Sequence, residues 1–407
     1  MEALKLVANG ALLVVYGLVV LSLIICIHEL GHYAAARLCG VRVEAFSLGM
    51  GPVLLHKQGK VTDWRLSLLP LGGYCAMKGE QDFKKACELG LRHIETDSDS
   101  MYGVSPIFRA FIGFAGPLAN FLLAVVCYSV VAMTGYTYYA ASGKITLANE
   151  VYPELHSAAA DAGLLSGDVI TAMNGTPIAD FSEIYAFVAT RPDEDITVTV
   201  ERTLAAADGG IAAHAAGGDS TRTVTLTFTV HTDLDTSSGA GKIGVVSDPS
   251  SVVAREAKRY GFFPAIAHGA AESARTLALT LKSIALLFRG VKVTEAVSGP
   301  ARITTMLGET VKTGFQAGFR SGLASVLEFV ALISVSLFFM NLLPIPVLDG
   351  SLVLFSLIEA ATRTEIPPKI KNNVQYIGLA LIAALFVLAA TSDIRYFSKL
   401  FSRMFHE

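Results

Sequence analysis

Four long apolar runs divide the chain and predict helices that cross a membrane. They cover roughly residues 7–38, 107–134, 323–343 and 374–390, and the stretch from Ala11 to Ile27 carries no charged residue. About 20 predominantly apolar residues are enough to cross the hydrocarbon core of a bilayer. The pattern therefore predicts a mainly α-helical, polytopic membrane protein with about four transmembrane helices and with both termini on one side.

Two stretches between these runs alternate between apolar and polar residues, as half-buried β-strands do. In residues 41–74, two alternating segments flank a polar turn at 57–60 and predict a membrane-associated β-hairpin that breaks at residues 69–74. In residues 144–248, alternation at 196–200 and 224–230 predicts a soluble, β-rich domain, with a flexible insertion over 205–221. The hairpin is either an ordinary surface element or a strand edge that pairs with an extended substrate.

The order of these segments predicts four parts of the chain. Residues 254–290 are apolar but interrupted by charges, which predicts a helix that lies on the membrane surface. We expect the first two spans and the hairpin in residues 1–143 and the β-rich domain in 144–248. Amphipathic surface helices follow in 249–322, and the last two spans lie in 323–407.

Composition supports the membrane assignment and excludes some partners. Of 407 residues, 52% are hydrophobic and 16% are charged, whereas soluble domains are about a quarter charged. A net charge of -3 gives no reason to expect a nucleic-acid partner. The five cysteines all lie at or before Cys127 and form no C-x-x-C pattern, so we expect no disulfide framework.

The first span contains the pattern H-E-x-x-H. His28 and His32 are four residues apart, so on a helix they share one face and can bind one metal ion. Glu29 lies beside them, where it could act as the general base toward water. Ionisable residues inside a span are costly and indicate a functional site. The alternative is a buried histidine pair packed against a carboxylate.

The third span ends in a segment that cannot remain helical. Pro344 and Pro346 each lack an N–H and restrict the residue before them, so the backbone must unwind ahead of Asp349. Such backbone is tolerated at membrane depth where it is buried in protein or lines a wet cavity. Asp349 would then be free to turn toward a metal, with Gly350 allowing the tight turn.

Together, His28, His32 and Asp349 would supply the three protein ligands of a catalytic zinc ion and leave the fourth position for water. Zinc would lower the pKa of that water toward neutrality, and Glu29 would take its proton.

Other polar and apolar groups are candidates for contacts with substrate. Asn341, at the end of the third span, could hold the substrate backbone or a developing oxyanion. Asn120, in the second span, either packs helices together or serves the site. Leu66, Ser67 and Leu68 of the hairpin could pair with an unwound substrate strand.

Three motifs in this order resemble the site-2 protease family of intramembrane zinc metalloproteases, in particular the bacterial RseP type. They are His28-Glu29-x-x-His32, Phe114-x-Gly116-Pro117-x-x-Asn120, and Asn341-x-x-Pro344-x-Pro346-x-Leu348-Asp349-Gly350. In addition, residues 157–170 with Asn174-Gly175 resemble PDZ domains of the bacterial protease type.

The resemblance implies a zinc enzyme of the bacterial inner membrane that cuts transmembrane segments within the bilayer. It implies a re-entrant β element at 41–74, an active site toward the cytoplasm and a PDZ domain outside it. It offers single-span anti-sigma factors or remnant signal peptides as substrates, and we expect a monomer. Some relatives carry two PDZ domains whereas one is visible here, which leaves peptide binding and steric filtering as alternatives for that domain.

Two other classes of protein would use these features differently. A PDZ-bearing membrane scaffold would explain the central domain but leave the histidines without a role. A metal-ion transporter would explain buried ligands, yet it should show polar residues along several spans, and here they concentrate at one point.

Overall fold

The computed structural model describes residues 2–204, 222–235, 239–287, 300–316 and 318–406. These residues form two compact units. The membrane unit comprises Met1–Tyr136, Lys258–Thr280 and Val297–Glu407, and the central unit comprises Thr137–Ala257 with Leu281–Ala296.

The helices are α1 (Glu2–Leu38), α2 (Glu80–Glu88), α3 (Pro106–Thr134), α4 (Ala148–Val151), α5 (Ala158–Asp161), α6 (Phe181–Ala189), α7 (Phe262–Leu287), α8 (Pro300–Gln316), α9 (Phe319–Leu342), α10 (Asp349–Thr362) and α11 (Pro368–His406). The strands are β1 (Val43–Gln58), β2 (Asp63–Met77), β3 (Thr137–Ala141), β4 (Ile145–Leu147), β5 (Val169–Met173), β6 (Thr176–Pro177), β7 (Asp195–Leu204), β8 (Arg222–His231), β9 (Asp233–Leu234), β10 (Gly241–Lys242), β11 (Val245–Ser247) and β12 (Val252–Glu256).

Four of the described helices are long and apolar enough to cross a membrane, as the sequence predicts. They are Gly17–Leu38 of α1, all of α3, all of α9, and Pro368–Arg395 of α11. Helix α3 is the most buried of the four and packs against α1, α9 and α10. The Ser105 side chain caps the N-terminus of α3 by accepting a hydrogen bond from the N–H of Phe108.

The hairpin of β1 and β2 forms a sheet of four strand segments, because both strands bend and each contributes two segments. Phe46 is paired with Cys75 on one side and with Trp64 on the other, and Leu66 is paired with both Leu48 and Leu55. The strand segments therefore lie in the order 73–77, 43–48, 63–67 and 53–58. The predicted break at residues 69–74 is wrong: β2 continues to Met77, and its last residues pair with the start of β1.

The central unit is built around an antiparallel sheet with the strand order β6-β5-β7-β8. The strands predicted at 196–200 and 224–230 fall within β7 and β8, which pair from Asp195–His231 to Leu204–Arg222. Alternate side chains of β7 (Ile196, Val198, Val200) enter the hydrophobic core of this unit. The predicted insertion at 205–221 lies outside the described residues.

The segment after the central unit differs from the expected helix over 254–290. Ala254 belongs to β12, which pairs with β3 through Val252–Ala141 to Glu256–Thr137. Strand pairing occupies the backbone N–H and C=O groups of these residues, so the helix begins only at Phe262.

Candidate metal centre

His28, His32 and Asp349 converge on one point in the membrane unit. The His28 Nε2 atom lies 3.0 Å from Oδ2 of Asp349, and the His32 Nε2 atom lies 3.3 Å from Oδ1. The two Nε2 atoms are 3.2 Å apart, and each histidine is only 7% exposed. Within the described parts of the chain, no other group of three or more histidine, cysteine or acidic residues is arranged to hold a metal ion.

These separations fit a zinc ion. Tetrahedral zinc sites have bonds of about 2.0–2.1 Å to histidine nitrogen and carboxylate oxygen, which places neighbouring ligand atoms about 3.3 Å apart. The separation of 3.2 Å between the two Nε2 atoms, and those of 3.0 and 3.3 Å from these atoms to the two oxygens of the Asp349 carboxylate, are close to that spacing. The three residues would hold zinc and leave its fourth position free.

Groups on α3 hold both imidazole rings. Nδ1 of His32 lies 2.8 Å from the carbonyl oxygen of Ile112 and donates to it, which leaves Nε2 with a free lone pair. Nδ1 of His28 lies 3.3 Å from the Asn120 side-chain nitrogen, while the buried Asn120 Oδ1 has no hydrogen-bond partner. Turning the Asn120 amide over would let Oδ1 accept from the Nδ1–H of His28, satisfying both groups and freeing Nε2.

Asn120 therefore lies in the site and contacts His28. Gly116, one helical turn away on the same face of α3, lies against His32. A Cβ atom there would overlap Nε2 of His32, so the observed position of the His32 ring requires glycine at this position.

Asp349 reaches the histidines because α9 ends early. Helix α9 stops at Leu342, and α10 begins at Asp349 itself after the two prolines. Between them Val347 has φ 81°, a conformation that is rare for a β-branched residue. Such backbone strain costs on the order of 1–3 kcal/mol and clusters at functional sites.

Gly350 is needed for a different reason from the one expected. It is helical rather than part of a turn, and a Cβ there would overlap the carbonyl oxygens of Leu342 and Leu343. The close packing of the start of α10 against the end of α9 thus requires glycine at position 350. The same packing holds the neighbouring Asp349 at the break between the two helices.

Glu29 contacts the outer strand of the hairpin sheet. The backbone of Cys75 lies near the Glu29 carboxylate, and Gly73 lies against the same side chain. Ser22 of α1 donates to the carbonyl oxygen of Gly72 over 3.2 Å. The start of the outer segment 73–77 is therefore held along α1, beside the carboxylate predicted to be the base.

The structure also places the residues that the sequence suggested as contacts for substrate. Leu66 has strand partners on both sides, and the buried Ser67 is paired with Val53 and lies 3.0 Å from the Ser47 hydroxyl. This contradicts the expected edge at Leu66, because a residue that is paired on both sides offers no free hydrogen-bonding groups to a further strand. Asn341 is half-buried in the last turn of α9.

Two neighbours of the site are backbone groups and were not predicted: the Ile112 carbonyl and the backbone of Cys75. Every residue has such groups, so no residue type in the sequence indicates them. The position of Cys75 could be found only from the strand register.

Comparison with known proteins assigns the family. Residues 16–385 match the model of peptidase family M50, the site-2 protease family. The chain belongs to peptidase family M50. As a member of this family it is a zinc metalloprotease with membrane-spanning helices.

Relatives of this M50 protein match along almost their full length. A protein of Treponema pallidum, provisionally named a zinc metalloprotease, is 35% identical over 94% of this chain and 99% of its own. A protein of Rhizobium meliloti with the same provisional name is 33% identical over 93% and 95%. The metalloprotease MmpA of Caulobacter vibrioides is 30% identical over 93% and 94%.

Proposed function

We propose that this M50 peptidase is an RseP-type protease of the bacterial inner membrane in which His28, His32 and Asp349 hold the zinc ion and Glu29 is the general base. The observation that carries the assignment is the convergence of His28, His32 and Asp349: the two Nε2 atoms are 3.2 Å apart, and each lies 3.0–3.3 Å from one of the two oxygens of the Asp349 carboxylate. Buried ionisable groups are expensive at this depth, so their meeting at one point supports a functional role.

Each residue around the site has a separate role in peptide hydrolysis. The zinc ion, when bound, polarises the scissile carbonyl and makes water acidic. Glu29 takes a proton from the attacking water and passes it to the leaving amine, while Gly73 packs against its side chain. Ile112 and Asn120 hold the two imidazoles with Nε2 toward the metal. Asn341 binds the substrate backbone or the developing oxyanion.

A transmembrane substrate must unwind before hydrolysis, because helical peptide groups are hydrogen-bonded and surrounded by side chains. The outer segment 73–77 of the hairpin is paired on one side only, with the start of β1, and it lies beside Glu29. An unwound substrate strand that pairs with this edge would pass next to the general base.

The location and substrates follow from the resemblance and from the spans. With four crossings, the hairpin and α10 share one side of the membrane. We assign that side to the cytoplasm and treat the central unit as a PDZ domain outside it. The substrates would be single-span anti-sigma factors or remnant signal peptides in the lipid bilayer, cut by a monomer. The central unit then either binds peptide or restricts access by size.

The two rival functions gain no support from the site. A scaffold would leave the converged ligands without a role, and a transporter needs a path of sites. The described residues contain one cluster with metal-binding geometry.

The test is the variant Glu29→Gln in purified full-length protein. We expect loss of cleavage of a membrane-embedded substrate, with the zinc content unchanged, because Gln cannot accept the proton. The variant Asp349→Ala should instead lower zinc content, measured by elemental analysis. Cleavage by Glu29→Gln at the rate of the unchanged enzyme would refute the mechanism, and full zinc content in Asp349→Ala would remove Asp349 from the ligand set.

A further inference from the structure

A second group of buried charges lies in the membrane unit, away from the metal centre. Glu359 of α10 accepts hydrogen bonds from the Lys371 ammonium of α11, 2.6 Å away, and from the backbone N–H of Ile366, 2.9 Å away. Its other carboxylate oxygen lies 3.0 Å from the guanidinium of Arg109 on α3. The three side chains are almost fully buried, with exposed fractions of 4% for Arg109, 2% for Glu359 and 8% for Lys371. We call them the charge cluster.

Stability alone does not explain the charge cluster. Removing three charges from water carries a desolvation penalty that ion pairing often fails to offset, and apolar side chains of similar volume are frequently as stable or more so. A buried cluster of this kind is better explained by geometry. It allows one relative position of three helices, because any other position leaves a charge buried without its partner.

One face of α3 connects this cluster to the metal centre. Arg109, Gly113, Gly116 and Asn120 are spaced by four, three and four residues, so they lie in a row on the helix. Arg109 contacts Glu359, and Gly113 lies against Leu352 and Val353 of α10. Further along, Gly116 contacts His32 and Asn120 contacts His28.

Helix α10 therefore runs antiparallel to α3, with Glu359 at one end of the contact and Asp349 at the other. Ten residues separate the two acidic groups, a distance of about 15 Å along a helix. A slip of α10 by one turn would move Asp349 by about 5.4 Å. That displacement exceeds the 3.0–3.3 Å that join Asp349 to the histidines.

We propose that the Arg109–Glu359–Lys371 cluster fixes the register of α10 against α3 and thereby places Asp349 opposite His28 and His32. The three residues are positioning residues: they contact neither metal nor substrate. The proposal rests on the assignment of Asp349 as a zinc ligand.

The first test is zinc retention in full-length Glu359→Gln, purified in detergent and titrated with a chelator. Gln keeps the size of the side chain but loses the charge that holds Arg109 and Lys371. We expect half of the zinc to be released at a chelator concentration at least tenfold lower, as for other residues that support metal ligands from behind. Lys369→Met, on the exposed side of α11, is the matched control and should retain zinc like the unchanged protein.

A second variant separates the effect of the cluster on the register of α10 from its effect on the stability of the protein. The triple variant Arg109→Met, Glu359→Leu, Lys371→Met removes every charge of the cluster and should unfold at the same temperature as the unchanged protein or higher. It should still release zinc at a lower chelator concentration, because nothing polar holds the register. Arg109→Lys keeps the charge and should restore part of the retention that Arg109→Met loses.

Each outcome decides the proposal. Normal zinc retention in Glu359→Gln, or in a folded triple variant, would overturn it. Zinc loss that only follows a lower unfolding temperature in Glu359→Gln would assign the cluster to general stability and overturn it as well. If Asp349→Ala keeps its zinc, the ligand assignment fails instead; if Asp349→Ala loses zinc while Glu359→Gln retains it, the register proposal alone fails.

Discussion

At the scale of single residues, the metal centre depends on the absence of a side chain at Gly116 as well as on its ligands. His32 occupies the space that a side chain at Gly116 would fill, and its other nitrogen is held by the Ile112 carbonyl. The ring thus has one orientation, with Nε2 toward Asp349.

We predict that Gly116→Ala disrupts the metal centre while the helices remain in place. The added methyl group must displace the His32 ring, so zinc retention against a chelator should fall at least tenfold, as for other losses of ligand support. Gly261→Ala is the control, since a Cβ there meets no atom within 4 Å. Equal zinc retention in both variants would contradict the overlap at His32.

The sequence indicated the candidate ligands and Asn120, but not the contacts by which Ile112 and Asn120 hold the imidazole rings. His28 and His32 are neighbours on one helix face, and the prolines mark the break before Asp349, so local patterns were sufficient for the candidate site. The partners Ile112 and Asn120 lie 80 and 92 positions away from their histidines. Contacts at such separations depend on how helices pack, which spacing along one segment does not contain.

At the scale of secondary-structure elements, the sequence predicted the strands of the hairpin but not how they pair. Alternation gave the strands of β1 and β2 because a strand has a period of two residues. It could not show that both strands bend and pair twice, since pairing depends on the register between distant segments. The edge proposed to pair with substrate is therefore the segment 73–77 beside Glu29, whereas the alternation alone had indicated Leu66–Leu68.

We predict that Cys75→Pro slows cleavage at least tenfold without loss of zinc. Proline has no N–H, so the variant removes a backbone donor next to Glu29 and disturbs the edge to which substrate would pair. The control is Leu54→Pro in the segment 53–58, the opposite outer strand of the sheet, which should cleave at close to the normal rate. A similar loss of rate in both variants would show that the sheet as a whole matters rather than the edge beside Glu29.

At the scale of the whole molecule, four spans fix which segments share a side of the membrane. With four crossings, the loop that contains α2 and the loop that contains α10 share one side. The four spans were predictable because apolar length is a strong pattern. Which side faces the cytoplasm rests on the resemblance rather than on the charges of the loops.

A labelling experiment tests this orientation. In spheroplasts, a membrane-impermeant maleimide should not label a variant whose only thiol is Cys87 of α2, and it should do so once the membrane is opened. A variant whose only thiol is Tyr185→Cys, at an exposed position of α6 in the central unit, should be labelled in both cases. The reverse pattern would invert the proposed topology.

The distance along the chain between the ligands has a consequence for biosynthesis. Asp349 follows His32 by 317 residues, so the ribosome finishes α1 long before it makes α10. At about 5–20 residues per second, the incomplete site persists for roughly 16–60 s. During that time two histidines and the Glu29 carboxylate are in the membrane without their third ligand. With the proposed ligands, the zinc site of a nascent chain is therefore incomplete until about six sevenths of the chain has been translated.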